Sequence, residues 1–216
     1  MLRGSITKSL LAIAVPVIFA NILQTVYQLI DTFWVGRLGT EAVAAVSLSF
    51  PLLFFLMSLA MGLVMAASIL VAQYNGKEDK ENVSFTVGQS LSLVILIAVI
   101  ISIIGYFSSH YLLSFLTKDV LVLPQATSYL QISFLGIMAM FIYTLFQSSL
   151  RGVGEVKVPL IIISITVVIN FFLDPVLMFG WRFIPAMGVS GVALATLITE
   201  YLSAIIAIVL LIRGTY

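Results

Sequence analysis

The chain has 216 residues, 62% of them hydrophobic and only 9% charged, with a formal net charge of +1 and no cysteine. A water-soluble domain carries about 25% charged residues, so this composition, with a mean hydropathy of +1.21, excludes a soluble globular protein. The near-neutral charge points to no nucleic-acid partner, and the missing cysteines exclude disulfides and thiolate sites without fixing a compartment.

Six long apolar windows occupy residues 9–35, 42–74, 83–107, 124–150, 158–180 and 188–212. Each meets or exceeds the ~20 residues that cross a hydrocarbon core as a helix. The predicted fold class is therefore all-α: a polytopic membrane protein whose residues 1–216 form one six-transmembrane-helix bundle in a lipid bilayer. The opening MLRGSITKSLLAIAVPVIFA has the charged start of a signal peptide, but its apolar run continues, so it reads as an uncleaved first span. With six spans, Arg3, Lys8, Lys77, Lys80, Arg151, Lys157 and Arg213 fall on one side and Arg37, Lys118 and Arg182 on the other. Seven against three predicts both termini in the cytoplasm, and the membrane expected is the plasma membrane, the cell's inner membrane.

Span 1 carries Pro16, which frees the carbonyl of Ala12 and predicts a bend. Gln24, Tyr27, Gln28 and Asp31 follow within an arc of roughly 100°, a polar stripe on an otherwise apolar helix. A carboxylate inside a span costs at least ~2.5 to 3.5 kcal/mol on insertion scales, so Asp31 needs partners in protein or a water-filled cavity. Span 2 is over-long and holds Pro51; its Ser47, Ser49, Ser58 and Ser68 read as packing or interhelical hydrogen-bonding positions. The stretch 75–82 reads as a solvated inner loop. Asn82, Val83 and Ser84 form a glycosylation triplet there, inert on a cytoplasmic side. The outer turn is predicted from His110 to Pro124, with His110, the only histidine, at the surface.

Span 4 has Tyr129, Tyr143 and Gln147. Tyr143 lies well inside the window, and its hydroxyl requires an intramembrane acceptor. The RGVG run at Arg151 reads as the following inner loop. In span 5, Thr166, Asn170 and Asp174 recur every four residues and share one face. Pro175 cannot donate to the carbonyl of Phe171, so a bare carbonyl, an amide and a carboxylate cluster within a turn, an arrangement tolerated at membrane depth where it lines a cavity or holds an ion. Pro16 and Pro175 are the candidate hinges. Span 6 adds Thr196, Thr199, Glu200 and Ser203 in one arc. An internal echo runs through the chain: Pro16 precedes Asp31, and Pro159 precedes Asp174, by the same interval, and GTEAVAAVS after span 1 resembles GVSGVALAT after span 5.

Spans 1 and 5 run in the same direction, and each Asp sits ~8 to 9 Å below its outer loop at 1.5 Å per residue. If the faces meet, Tyr27, Asp31, Asn170 and Asp174, with Thr196, form one pocket in the outer half of the bundle. Two carboxylates in one low-dielectric site cannot both carry charge cheaply. Either a proton or a cation settles the charge; the hard oxygen donors of Asp31, Asn170 and Asp174 suit Na+ as well as H+. Gln24, Gln28, Tyr143 and Glu200 are candidates for a substrate-facing cavity.

Pro16, Gln24, Tyr27, Asp31, VGRLG at 35–39, the RGVG run and NFFLDPVLMFG at 170–180 together resemble the N-terminal six-helix lobe of multidrug and toxic compound extrusion (MATE) transporters. The resemblance implies export of amphipathic organic cations in exchange for entering H+ or Na+, with no cofactor. In the branch with paired acidic residues, the N-lobe cation site maps onto Tyr27, Asp31, Asn170 and Asp174, with Thr196 and with Tyr129 or Tyr143. It also maps Pro16 onto a first-helix position where bending is linked to protonation. Such transporters have about twelve spans in two lobes, which implies a second six-helix lobe as partner: a C-terminal half or a second copy. A lipid or lipid-linked saccharide flippase of the same superfamily, or a non-transporting fragment, is the alternative. An intramembrane protease reading of GVSG around Ser190 fails because no histidine follows that serine in the sequence, so no enzyme is expected.

Overall fold

The computed structural model describes residues 6–214. Arg3, one of the cations in the charge count, lies outside the described residues, as does the Lys8 side chain. Six helices follow one another: α1 (Ile6–Gly36), α2 (Thr40–Gly76), α3 (Lys80–Leu116), α4 (Val122–Val153), α5 (Lys157–Phe179) and α6 (Val189–Arg213). All six are long and apolar enough to cross a membrane. Among the described residues the only strand-like pairing is an isolated bridge between Trp181 and Ile184. The end of the bundle with the turns at 37–39, 117–121 and 180–188 is termed outer, following the charge count.

The helices are longer than their apolar windows, and three loop assignments change as a result. α3 runs nine residues beyond Phe107, and His110 is an exposed helical residue rather than part of a turn. The hydroxyls of Ser108, Ser109 and Ser114 donate to carbonyls of the preceding turn, and Leu113 is fully buried, so a stretch polar by composition remains helical. The inner loop expected at 75–82 shrinks to 77–79, with Asp79 capping α3: its carboxylate accepts from the Asn82 backbone N–H at 3.1 Å and the Asn82 side chain at 2.7 Å. Those two bonds, the side-chain one foremost, hold the Asp79 carboxyl below its usual range. Arg151 and Gly152 belong to the last turn of α4. That helix ends at Gly154, whose left-handed φ of 87° suits glycine, and Glu155 N–H returns to the Leu150 carbonyl at 2.8 Å in a Schellman-type closure.

α4 is the central helix, packed against α2, α3 and α6, while α1 packs chiefly on α5. The main apolar core joins Ala45, Ala60, Val64 and Ala67 of α2, Val94, Ala98 and Leu113 of α3, and Leu130, Phe134, Phe141 and Leu145 of α4. Small residues on two of the three surfaces let the backbones approach, which matters where lipid removes the hydrophobic drive for helix association. Ser68 and Ser148 tie α2 to α4 through each other's helix, Ser68 Oγ donating to the Ser148 carbonyl at 3.0 Å and Ser148 Oγ to the Val64 carbonyl at 3.3 Å. Ser49 and Ser58 instead donate within α2. Large side chains such as Phe54, Phe55, Ile104 and Phe107 point outward and are exposed, the kind of surface that a lipid-embedded bundle presents. At 37 residues each, α2 and α3 are ~55 Å long, well beyond a ~30 Å hydrocarbon core.

Candidate functional site

Tyr27 and Asp31 lie one turn apart on α1, and both are half-buried toward α5 and α6, whereas Gln24 and Gln28 are exposed. The stripe read from the sequence therefore straddles the edge of the packed surface. At 100° per residue the two glutamines sit on the outward side of the arc and the other two on the inward side. On α5, Thr166, Asn170 and Asp174 are all buried, the last two completely. On α6, Thr199 is buried and Thr196 and Glu200 are half-buried.

These faces meet in the outer half of the bundle. The Thr196 hydroxyl donates to Asp31 Oδ2 at 3.2 Å, and the Asn170 amide donates to Asp174 Oδ1 at 3.3 Å. The carboxyls of Asp31 and Asp174 lie within hydrogen-bonding reach of one another. One turn inward, the Tyr27 and Thr199 hydroxyls are 2.7 Å apart, and Thr199 donates to the Thr196 carbonyl at 2.9 Å. Asp31 Oδ1, Asp174 Oδ2 and Asn170 Oδ1 are buried acceptors with no hydrogen-bond donor among the described residues. Two carboxylate oxygens that face each other without a hydrogen between them repel; a proton or a small cation makes the same geometry favourable. The donor set, two carboxylates and an amide carbonyl, is chemically suited to either.

The helix positions follow from local sequence. Gly191 in the first turn of α6 packs on the backbone of α5, where a Cβ would lie 2.6 Å from the Leu177 carbonyl carbon and 2.8 Å from the Met178 nitrogen. The loop backbone fastens the same corner, with Met187 N–H donating to the Leu177 carbonyl and Gly188 N–H to that of Met178. These bonds satisfy carbonyls that a helix end would otherwise leave open. The close approach sets Asp174 and Thr196 on facing sides of one seam. Pro175, half-buried, continues α5 directly after the acid, and Pro16 lies inside α1 without ending it.

The two span 4 tyrosines separate clearly. Tyr129 feels the charges of Asp31, Glu200 and Asp174 and packs beside Val35, Met178 and Val192. Tyr143 stands about 20 Å further along α4 at 1.5 Å per residue, and its hydroxyl donates to the Pro159 carbonyl at 3.1 Å. That carbonyl is the intramembrane acceptor its depth requires, and the bond sets Tyr143 apart from the carboxyl cluster. Thr199 is the partner that sequence reasoning did not single out. Its signal was its place three residues after Thr196 on the arc already recognised.

The MatE family model matches residues 16–176, a segment that holds Asp31 and Asp174 and the helix prolines Pro16 and Pro175. The chain belongs to the MatE family. It is 35% identical to "Probable multidrug resistance protein YoeA" of Bacillus subtilis (strain 168) over 97% of its own length and 45% of that protein's. It is 27% identical to a protein of Shewanella oneidensis named "FAD transporter", over 91% of its own length and 44% of that protein's. Among solved structures, a MOP superfamily transporter from Pyrococcus furiosus superposes with a TM-score of 0.89 at 27% identity, over 97% of this chain and 46% of the other. The chain thus spans about half the length of the MATE relatives it matches. These relatives are transporters, not enzymes, and the chain is a multi-pass membrane protein of their family.

Proposed function

We propose that the chain is one six-helix lobe of a cation-coupled antiporter that exports amphipathic organic cations. The carrying observation is the trio of donorless acceptor oxygens on Asp31, Asn170 and Asp174, which an entering H+ or Na+ neutralises. Thr196 holds Asp31 through its hydroxyl and Tyr27 ties α1 to α6 through Thr199, and Pro16 and Pro175 give the two acid-bearing helices their places to bend. Gln24 and Gln28, exposed beside the site, face the cavity that cargo would enter. Acidic rather than basic groups in the bundle support a positively charged cargo over an anionic lipid headgroup. The second lobe is the C-terminal half of a longer protein or a second copy, since an even number of spans lets two copies insert in parallel. Both termini lie in the cytoplasm, and the membrane is the cell's inner one.

Inside-out vesicles from cells expressing the whole protein provide the test. With an imposed H+ or Na+ gradient, the wild type accumulates a cationic dye, and the gradient that drives accumulation names the ion. Asp31→Asn inserts normally and accumulates no more dye than vesicles without the protein. Dye accumulation at the wild-type rate by Asp31→Asn would falsify the coupling role.

A further inference from the structure

Glu200 is a third carboxyl that the exchange just described leaves unused. It stands one turn inward of Thr196 on α6, and a Glu in a span carries an insertion cost that packing alone does not require. Its Oε2 rests against α4 at Gly136, 2.5 Å from where a Cβ on that residue would sit, and Leu197 Cδ1 closes the same notch at 3.4 Å. The notch exists because residue 136 has no side chain. Glu200's charge acts on Tyr27 and Asp31 of α1 and on Tyr129 of α4, and no basic group is among them.

The groups form a sequence through the bundle. α1 and α6 run in opposite directions, so Tyr27, one turn before Asp31, and Glu200, one turn after Thr196, are displaced the same way. From outer to inner the order is the Asp31–Asp174 pair with Thr196, then Tyr27 with Thr199 and Glu200. Asp174 and, one turn inward of it on α5, Asn170 are 0% exposed, and among the described residues each has an acceptor oxygen without a donor.

We infer that Glu200 is the inner station of the coupling path, receiving the proton that leaves the Asp31–Asp174 pair and handing it to water on the inner side. The inference rests on the antiport reading and narrows its ion to H+. In the transfer the O–H bond of the Asp31 carboxylic acid breaks and an O–H bond forms on the Glu200 carboxylate. Thr196, whose hydroxyl donates to Asp31 at 3.2 Å and which stands one turn from Glu200 on the same helix, lies between them and gives up one proton as it takes another, so that only the two carboxyls exchange charge. Gly136 is a positioning residue, needed so that the Glu200 carboxyl can reach this place.

Two assays on the same inside-out vesicles separate this role from cargo binding and from support of the fold: dye accumulation driven by a pH gradient, and one-for-one dye exchange with no gradient. Glu200→Gln is expected to lose at least tenfold in gradient-driven accumulation while exchange stays within twofold of wild type. Glu200→Asp recovers part of the loss, and Gly136→Ala, which displaces the carboxyl, reproduces the loss in weaker form. Glu200→Gln with wild-type accumulation overturns the inference, as does an equal loss in both assays, which would make Glu200 a cargo or structural residue. Failure of the antiport reading is a distinct outcome, because it requires Asp31→Asn to accumulate dye normally.

Discussion

The bundle is built from two triads of unlike material. α2, α3 and α4 meet through Ala45, Val64, Ala98, Leu130 and Phe141, groups with nothing to ionise. α1, α5 and α6 share apolar contacts too, such as Ala20 with Ile163 and Val167, but set among them are Asp31, Asn170, Asp174, Thr196 and the Tyr27–Thr199 pair. The contrast is sharpest between single helices: half of the spanning window of α4 is buried in the bundle, against 6% for α1. Close apolar packing is indifferent to pH and to salt. Contacts across two facing carboxyls depend on the charge lying between them. On the proposed antiport reading, one triad is a fixed support and the other a responsive element.

That division makes opposite forecasts for substitutions in the two triads. Asp174→Asn should bring gradient-driven dye accumulation down to background with no loss of melting temperature in detergent, since the substitution removes a repulsive charge. A large fall in stability instead would place Asp174 in the structural half. Phe141→Ala, in the apolar triad, should lose about 3–5 kcal/mol of stability by analogy with buried aromatic truncations. Whatever transport remains should keep its wild-type ion dependence, and a shifted pH profile for that variant would break the division.

Gly191→Ala tests the seam between α5 and α6. Its Cβ would meet Leu177 and Met178 backbone, and overpacking of this kind costs about 1–3 kcal/mol. Because the seam also aligns Asp174 with Thr196, the apparent affinity for the coupling ion should weaken together with stability. A stability loss with unchanged ion affinity would uncouple the two. The smallest effect lies at Asp79. Its folded carboxyl titrates below the unfolded one, so its capping contributes stability above the ordinary aspartate value of about 3.9 and loses it as pH falls through the depressed value. The melting difference between wild type and Asp79→Ala should shrink on acidification to about pH 3, with transport at neutral pH unaltered.

The six helices were legible because a span must satisfy its own backbone and therefore writes a long apolar run. Their ends were not. The serines near His110 turn their hydroxyls back onto the preceding turn, so polar composition misleads there, and glycines such as Gly152 were read as loop when they are places of close helix contact. The matched depth of Asp31 and Asp174 could be foreseen from rise per residue and helix direction alone, whereas the meeting of their faces could not. The sorting of Tyr129 from Tyr143, and of Tyr27 from the neighbouring glutamines, depends on which face each helix turns inward. Rotation of that kind is set by packing partners distant in sequence. The Gly136 notch carried no local signal, since a lone glycine in a span reads only as a small residue.

The sparse anchoring of α1 has a kinetic meaning. A helix fastened along a narrow strip, with hydroxyl contacts worth roughly 1 kcal/mol apiece, is detached by perturbations no larger than the arrival or departure of one elementary charge. On the proposed antiport reading, the acid it carries sits on the least buried rod of the scaffold, and loading the site and repositioning that rod would be a single thermodynamic event, with no separate transmission required.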